Sequence, residues 1–249
     1  MGTALTTVRI TATSPRLKAR IAGLLYLIVI VGGIFAEIFV RGRLVVHGDA
    51  AATAHNIVGQ ELLYRLGFAA EIFYCACNVP LILIFYDLFK VVNRNVALLV
   101  VFFSLVGTAV ESVSLLAHFA PLVLLGGGRY LSAFTVEQLQ AAAYMSLQLF
   151  EYGFAICLVF FGFYCLSIGY LIFRSTFFPR IIGVLLVIQG LLYLTNSFAN
   201  FLAPGIAARV FPYLAASAVA EISLCLWLLV MGVNVQRWKE QASAAGNYS

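Results

Sequence analysis

Five glutamates stand where charge is expensive. Glu37, Glu71, Glu111, Glu151 and Glu221 each lie within or at the end of a long apolar run. A carboxylate facing lipid at mid-bilayer costs about 2.5 kcal/mol or more on insertion scales. Such groups bind a cation, carry protons, hold a polar solute, or hydrogen-bond one helix to another. Five at one level cannot all stay ionised and unpaired. The pattern therefore predicts protonated members, a bound cation, or arginines reaching in, with Arg41, Arg43 and Arg65 the closest candidates, at the outer rim. Glu61 and Arg65 also stand four residues apart, the spacing of a surface pair on a helix.

The glutamates belong to polar stripes. One run reads Ser104, Gly107, Glu111, Ser114, His118, and another Tyr64, Gly67, Glu71, Tyr74, Asn78. Others read Gln189, Tyr193, Asn196, Asn200; Tyr213, Ser217, Glu221; Tyr26, Ile30, Gly33, Glu37; and Tyr144, Gln148, Glu151, Ala155. Steps of three and four keep each stripe on one helical face. Turned inward, the stripes would enclose a polar chamber sealed on one side by apolar packing. The candidate ligand or ion contacts are the five glutamates with Asn78, Asn196 and Asn200.

Other chemistries find less support. A metal-dependent hydrolase could use His118, Glu111 and Glu151 as ligands. The chain has only three histidines and no HxxxH or HExxH spacing, so His118 is a weak metal candidate, expected as an interfacial histidine. There is no nucleotide-binding glycine loop, nucleophile elbow or haem-type histidine pair, and the cofactor stays unknown. A structural or regulatory subunit without chemistry of its own stays open. The five cysteines, Cys75, Cys77, Cys157, Cys165 and Cys225, lie in apolar runs without a CxxC pair and read as small packing residues.

The elements that position these groups follow from composition. The chain is 63% hydrophobic and 10% charged, against about a quarter charged in soluble domains. Lipid is the solvent that fits, and long unbroken apolar runs favour helices over barrel strands. The reading is an all-α polytopic bundle of six transmembrane helices, about 21–40, 66–89, 96–125, 147–173, 181–202 and 211–233. Domain limits are an N-terminal tail over 1–17, one six-helix domain over 18–235, and a polar C-terminal tail over 236–249. Asp49 is placed to cap a short helix through Ala50, and Thr135 with Gln138 to form a capping box ahead of the fourth span. Pro80 could kink the second span, and Pro212 suits the first turn of the sixth.

The lysines and arginines flank apolar runs instead of forming a patch, which argues for topological anchors and against nucleic acid. Counted by loop, ten fall on the side of the N-terminus and five on the other, so both termini are expected in the cytoplasm. An internal repeat is also suggested. Arg20 precedes Glu37, Arg94 precedes Glu111 and Arg180 precedes Ser197 by the same seventeen residues. Ala70-Glu71-Ile72 and Ala220-Glu221-Ile222 are each followed three residues later by cysteine. Three helical hairpins of one kind, N-in and C-in, would account for this. Seventeen residues of helix rise about 25 Å, which sets the glutamates in the outer third of the bilayer.

Several segments carry a family resemblance. They include Arg20-Ile21-Ala22-Gly23-Leu24-Leu25-Tyr26, Gly33-Ile34-Phe35-Ala36-Glu37, Gly48-Asp49-Ala50-Ala51-Ala52-Thr53-Ala54 and Tyr130-Leu131-Ser132-Ala133-Phe134. Phe160-Phe161-Gly162-Phe163, Gly169-Tyr170-Leu171-Ile172-Phe173, Phe178-Pro179-Arg180 and Ser197-Phe198-Ala199-Asn200-Phe201 continue it. In this order they resemble the bacterial multi-pass membrane family called domain of unknown function four-three-eight-six. The resemblance runs from about Lys18 to Asn234. It implies a bacterial inner-membrane protein with the lipid bilayer as partner, brings no established activity, and supplies no catalytic residue. The functional expectation is binding or translocation of a cation, proton or small polar solute through an outward-facing acidic cavity.

Overall fold

The computed structural model of the chain describes residues 14–203, 205, 206, 209 and 217–246, and among them there is helix and loop but no strand. Helix α1 (Pro15–Ile34) opens at Ser14, whose hydroxyl accepts the Leu17 N–H at 3.2 Å, with Pro15 in the first turn where its missing N–H costs nothing. The chain then widens into a π-helical segment (Phe35–Arg41) and one further turn (Gly42–Leu44). After it come α2 (Ala50–Gly59), α3 (Glu61–Phe89), α4 (Arg94–Leu124), α5 (Val136–Arg174), α6 (Arg180–Leu202), α7 (Ser217–Val230) and α8 (Val235–Ala244).

The stretch Pro15–Leu44 and helices α3, α4, α5 and α6 are each long and apolar enough to cross a membrane. Helix α7 is the sixth apolar helix; it meets that test only together with α8, from which it is bent by 102°. The polytopic all-helical bundle expected from composition is thus present. Pro212 and Tyr213, at the expected start of the sixth span, lie outside the described residues. Large apolar side chains such as Leu116, Val113, Ile181 and Phe102 point out of the bundle, as a lipid-facing surface requires.

The spans form a ring closed in chain order. Helix α1 packs against α3 and α7, α3 against α4, α4 against α5, α5 against α6, and α6 against α7. Tight connections explain the order: Asn93 caps α4 by accepting the Val96 N–H at 3.1 Å, and Pro179 precedes α6. The α5–α6 crossing is built on glycine. A Cβ on Gly183 would lie 2.6 Å from the Gly169 carbonyl oxygen, and one on Gly190 2.7 Å from that of Gly162. Without side chains at these positions the two backbones approach closely, the usual device where lipid supplies no hydrophobic drive for helix pairing.

The two ends of the ring are closed differently. At the end where α1 begins, Lys18 reaches Asp87 at 2.6 Å and Lys90 reaches it at 2.8 Å. Here the expected polar tail is instead helix α8. Asn234 caps it through the Arg237 N–H at 3.1 Å, and the Trp238 indole N–H donates to the Leu88 carbonyl at 2.9 Å. Trp238 and the buried Ala242, one turn apart, give this polar segment an apolar edge, and that edge holds it to the bundle. The first and last helices thus lie at one end, called the terminal end below. At the opposite, loop end, Asp49 caps α2 by accepting the Ala52 N–H at 2.8 Å, as its sequence suggests. Ile57 of α2 is buried with Val40, Leu44, Tyr64 and Leu147. The Thr135–Gln138 capping box forms and starts α5 well before the expected fourth span.

A polar layer lies between two apolar ones. The larger core, including Leu81, Phe85, Phe89, Ile168 and Leu228, fills the terminal half. The smaller one sits at the loop end. Pro80 lies inside α3, which continues on both sides of it.

Candidate functional site

The first stripe residues to meet are not all acids. The π segment carries Arg41 inward until its side chain is only 8% exposed, and its guanidinium bonds both Glu37 and the fully buried Glu71. His118 Nδ1 lies 2.6 Å from the second Glu71 oxygen, so that nitrogen carries the proton and donates it. Phe150 lies beneath the guanidinium, 4.7 Å from its carbon, and 4.9 Å from the imidazole centroid. The Tyr64 hydroxyl donates to the His118 carbonyl at 2.5 Å. A carboxylate so placed ties the π segment, α3 and α4 together. His118 is therefore no interfacial histidine. It is completely buried and serves as a hydrogen-bond partner of Glu71, while its Nε2 finds no partner among the described residues.

Deeper toward the terminal half, a cavity of about 330 Å³ opens among all six apolar helices. Glu37, Glu111 and Glu221 line it with Asn78 and Gln189. Tyr26, Tyr74, Tyr164 and Tyr193 supply aromatic wall, and the rest is mainly aliphatic or phenylalanine. The Tyr74 hydroxyl donates to Glu111 at 2.5 Å. Gln189 donates to Glu221 at 2.5 Å, and the Tyr193 hydroxyl donates to the same oxygen at 2.9 Å. Asn78 donates to Thr108 at 2.7 Å and Ser104 at 3.1 Å, which joins α3 to α4 beside the cavity. The Gln189 carbonyl oxygen is buried without a partner among the described residues. Glu37, Ile38 and Ile222 both line the cavity and are exposed, which puts its surface side between the π segment and α7.

The stripes thus sort into three groups. Glu37, Glu111, Glu221 and Asn78 share the cavity. Glu71 is enclosed apart from it by Arg41 and His118. Glu151, Asn196 and Asn200 are not in the lining either. Glu151 is exposed, within electrostatic reach of Glu37 and Arg41, because the buried face of α5 runs through Ala143, Leu147 and Phe150 instead. Asn196 is buried with its side-chain oxygen unpartnered among the described residues, and Asn200 donates to the Asn196 carbonyl at 3.0 Å.

Arg41 was one of three arginines placed to reach in. Arg43 is exposed and Arg65 pairs with Glu61 at 2.7 Å on the surface. A zinc trio of His118, Glu111 and Glu151 is not assembled. No group of three or more histidines, cysteines or acids able to hold a metal occurs among the described residues. One functional residue escaped the candidate list: Gln189, a donor to Glu221. Gln189 carried a signal, standing one turn before Tyr193 on the same stripe.

No curated protein and no solved structure matches the chain. Residues 21–232 match the family described as a domain of unknown function, DUF4386. That match reaches into every apolar helix and includes the whole cavity lining, and the protein is a member of the DUF4386 family.

Proposed function

We propose that the protein binds a small organic cation in its interhelical acidic cavity. One observation carries the reading: three glutamates line the cavity and, among the described residues, no lysine, arginine or histidine does. Arg41, the nearest guanidinium, is committed to Glu37 and Glu71. Glu111 and Glu221, from opposite sides of the ring, keep the hydrogen bonds of neutral tyrosine and glutamine donors and no basic partner. Carboxylates with four tyrosines and an aliphatic wall suit an ammonium group on an apolar body: the charge meets the acids and ring faces, the body meets the wall. The volume lies at the small end of the range for ligand pockets. Binding is the common first step of reception and of translocation.

The setting of this function is part of the same proposal. The protein lies in a bacterial cell membrane with both termini cytoplasmic. Ten lysines and arginines on the terminal side against five on the loop side support that orientation. The three hairpins descend from one ancestral hairpin, and the recurrent seventeen-residue spacing supports this.

Equilibrium binding to purified protein in lipid nanodiscs tests the site. Alkylammonium and arylalkylammonium ions are compared with alcohols of matching size. The cations are expected to bind, the alcohols at least tenfold more weakly, and the Glu111→Gln/Glu221→Gln double variant to lose the difference. Equal binding of cation and alcohol, or binding unchanged by the double variant, overturns the reading.

A further inference from the structure

A second cavity lies at the terminal end, away from the acidic one. It measures about 580 Å³ and is lined by Arg16 of α1 and Arg237 of α8, with Thr176, Asn234, Phe177 and Trp227 among the other walls. Among the described residues, no acidic residue lines it. The Arg16 side chain forms no ion pair or hydrogen bond among the described residues, and the Arg237 side chain donates there only to the Thr176 carbonyl, at 3.3 Å. The acids of this end are already occupied. Asp87 is held by Lys18 and Lys90, and Glu240 accepts from Gln236 at 2.9 Å. Two guanidiniums are thus set at one pocket without a counterion among the described residues. The bend between α7 and α8 creates this arrangement. Gly232 takes φ +65° there, and a Cβ on it would lie 3.3 Å from the Arg16 side chain.

The pocket does not stop at the ring's end. Pro179, Trp227 and Met231 also line an adjoining groove of about 400 Å³ between α6 and α7. That groove continues along Ile181, Leu226 and Val230, all exposed on the lipid-facing surface. A basic pocket at the helix ends runs directly into an apolar trough along the span. A free anion would use the first and leave the second empty; a phospholipid uses both.

We propose that one anionic phospholipid binds here, its phosphate between Arg16 and Arg237 and an acyl chain in the α6–α7 groove. Guanidinium forks match phosphate oxygens in geometry as well as charge. Basic pockets between helices at the cytoplasmic side are where anionic headgroups are held. The site is independent of the acidic cavity: the two share no lining residue.

Native mass spectrometry of the full-length protein with added phosphatidylglycerol or phosphatidylcholine tests it. The wild-type protein is expected to retain one phosphatidylglycerol, at least tenfold in preference to phosphatidylcholine. The Arg16→Gln/Arg237→Gln double variant should fall to the phosphatidylcholine level. The Arg94→Gln variant, which removes an arginine at the start of α4 outside the pocket lining, should keep the preference. Leu226→Trp should weaken retention of a full-length lipid more than of a short-chain analogue. Equal retention of both lipids by wild type overturns the proposal without any variant. So does a loss of preference in Arg94→Gln as large as in the double variant, or displacement of the lipid by millimolar inorganic phosphate.

Discussion

At the scale of single residues, Arg41 decides the character of the loop-end half. Its charge lets Glu71 stay fully enclosed among helices, with His118 satisfying the second carboxylate oxygen. Removing one partner of a buried ion pair leaves an uncompensated charge and costs roughly 3–5 kcal/mol, more than the intact pair contributes. Arg41→Met is therefore expected to lower the unfolding temperature in detergent markedly, and Arg41→Met/Glu71→Gln to recover much of the loss. A single variant as stable as wild type would contradict this role. Glu111 and Glu221 behave differently, because their partners are neutral donors that glutamine can also accept from. Glu111→Gln and Glu221→Gln should each keep the thermal stability of wild type within about 1 kcal/mol while reducing cation binding. A collapse of stability in these two would assign them to holding helices together.

At the scale of elements, two features shape the cavity: the glycine-built α5–α6 crossing and the π segment. Gly183 meets Gly169 and Gly190 meets Gly162 with no room for a Cβ. Gly183→Val is expected to force α5 and α6 apart and destabilise the protein by several kcal/mol, on the order of a severe overpacking substitution. Gly59→Ala, with open space around its Cβ, should be neutral or slightly stabilising, since alanine is the better helix former. Thermal unfolding of the two variants side by side checks this, and similar transitions in both would sink the crossing's importance. The helices themselves were legible because their stripes step by three and four. Tyr64, Gly67, Glu71 and Tyr74 are all buried, as are Ser104, Gly107, Glu111 and His118. What was not legible has physical causes. The π segment changes the phase of the first span, and no residue type announces it; Arg41, expected at the rim, is drawn inside by it. On α5 the polar row through Tyr144, Gln148 and Glu151 was read as the inward face, whereas the apolar row beside it, through Ala143, Leu147 and Phe150, is the buried one; both rows step by three and four, so spacing alone did not choose between them. Helix α8 has too few apolar residues to stand out, and only Asn234, Trp238 and Ala242 at four-residue spacing betray it.

At the scale of the whole molecule, the ring closes in chain order, so each helix contributes to one central layer and the first helix completes the cavity with the last span. Lys18 of α1 and Trp238 of α8 both bond the Asp87–Leu88 end of α3, so the start of the first described helix and the last one share the terminal end. With that side cytoplasmic, green fluorescent protein fused to either terminus should fluoresce in bacterial cells. Alkaline phosphatase inserted near Gly48 or Gly127, at the loop end, should be active. The opposite pattern would reverse the orientation. The central claim is that the acidic cavity is a cation site, and locating a bound cation tests it most directly. A brominated arylalkylammonium ion diffused into crystals of the protein should give one dominant anomalous peak inside the ring, between Glu111 and Glu221 and against Tyr74 or Tyr193. A peak only on the lipid-facing surface or at the loop-end rim, with the cavity empty at saturating ligand, would contradict it.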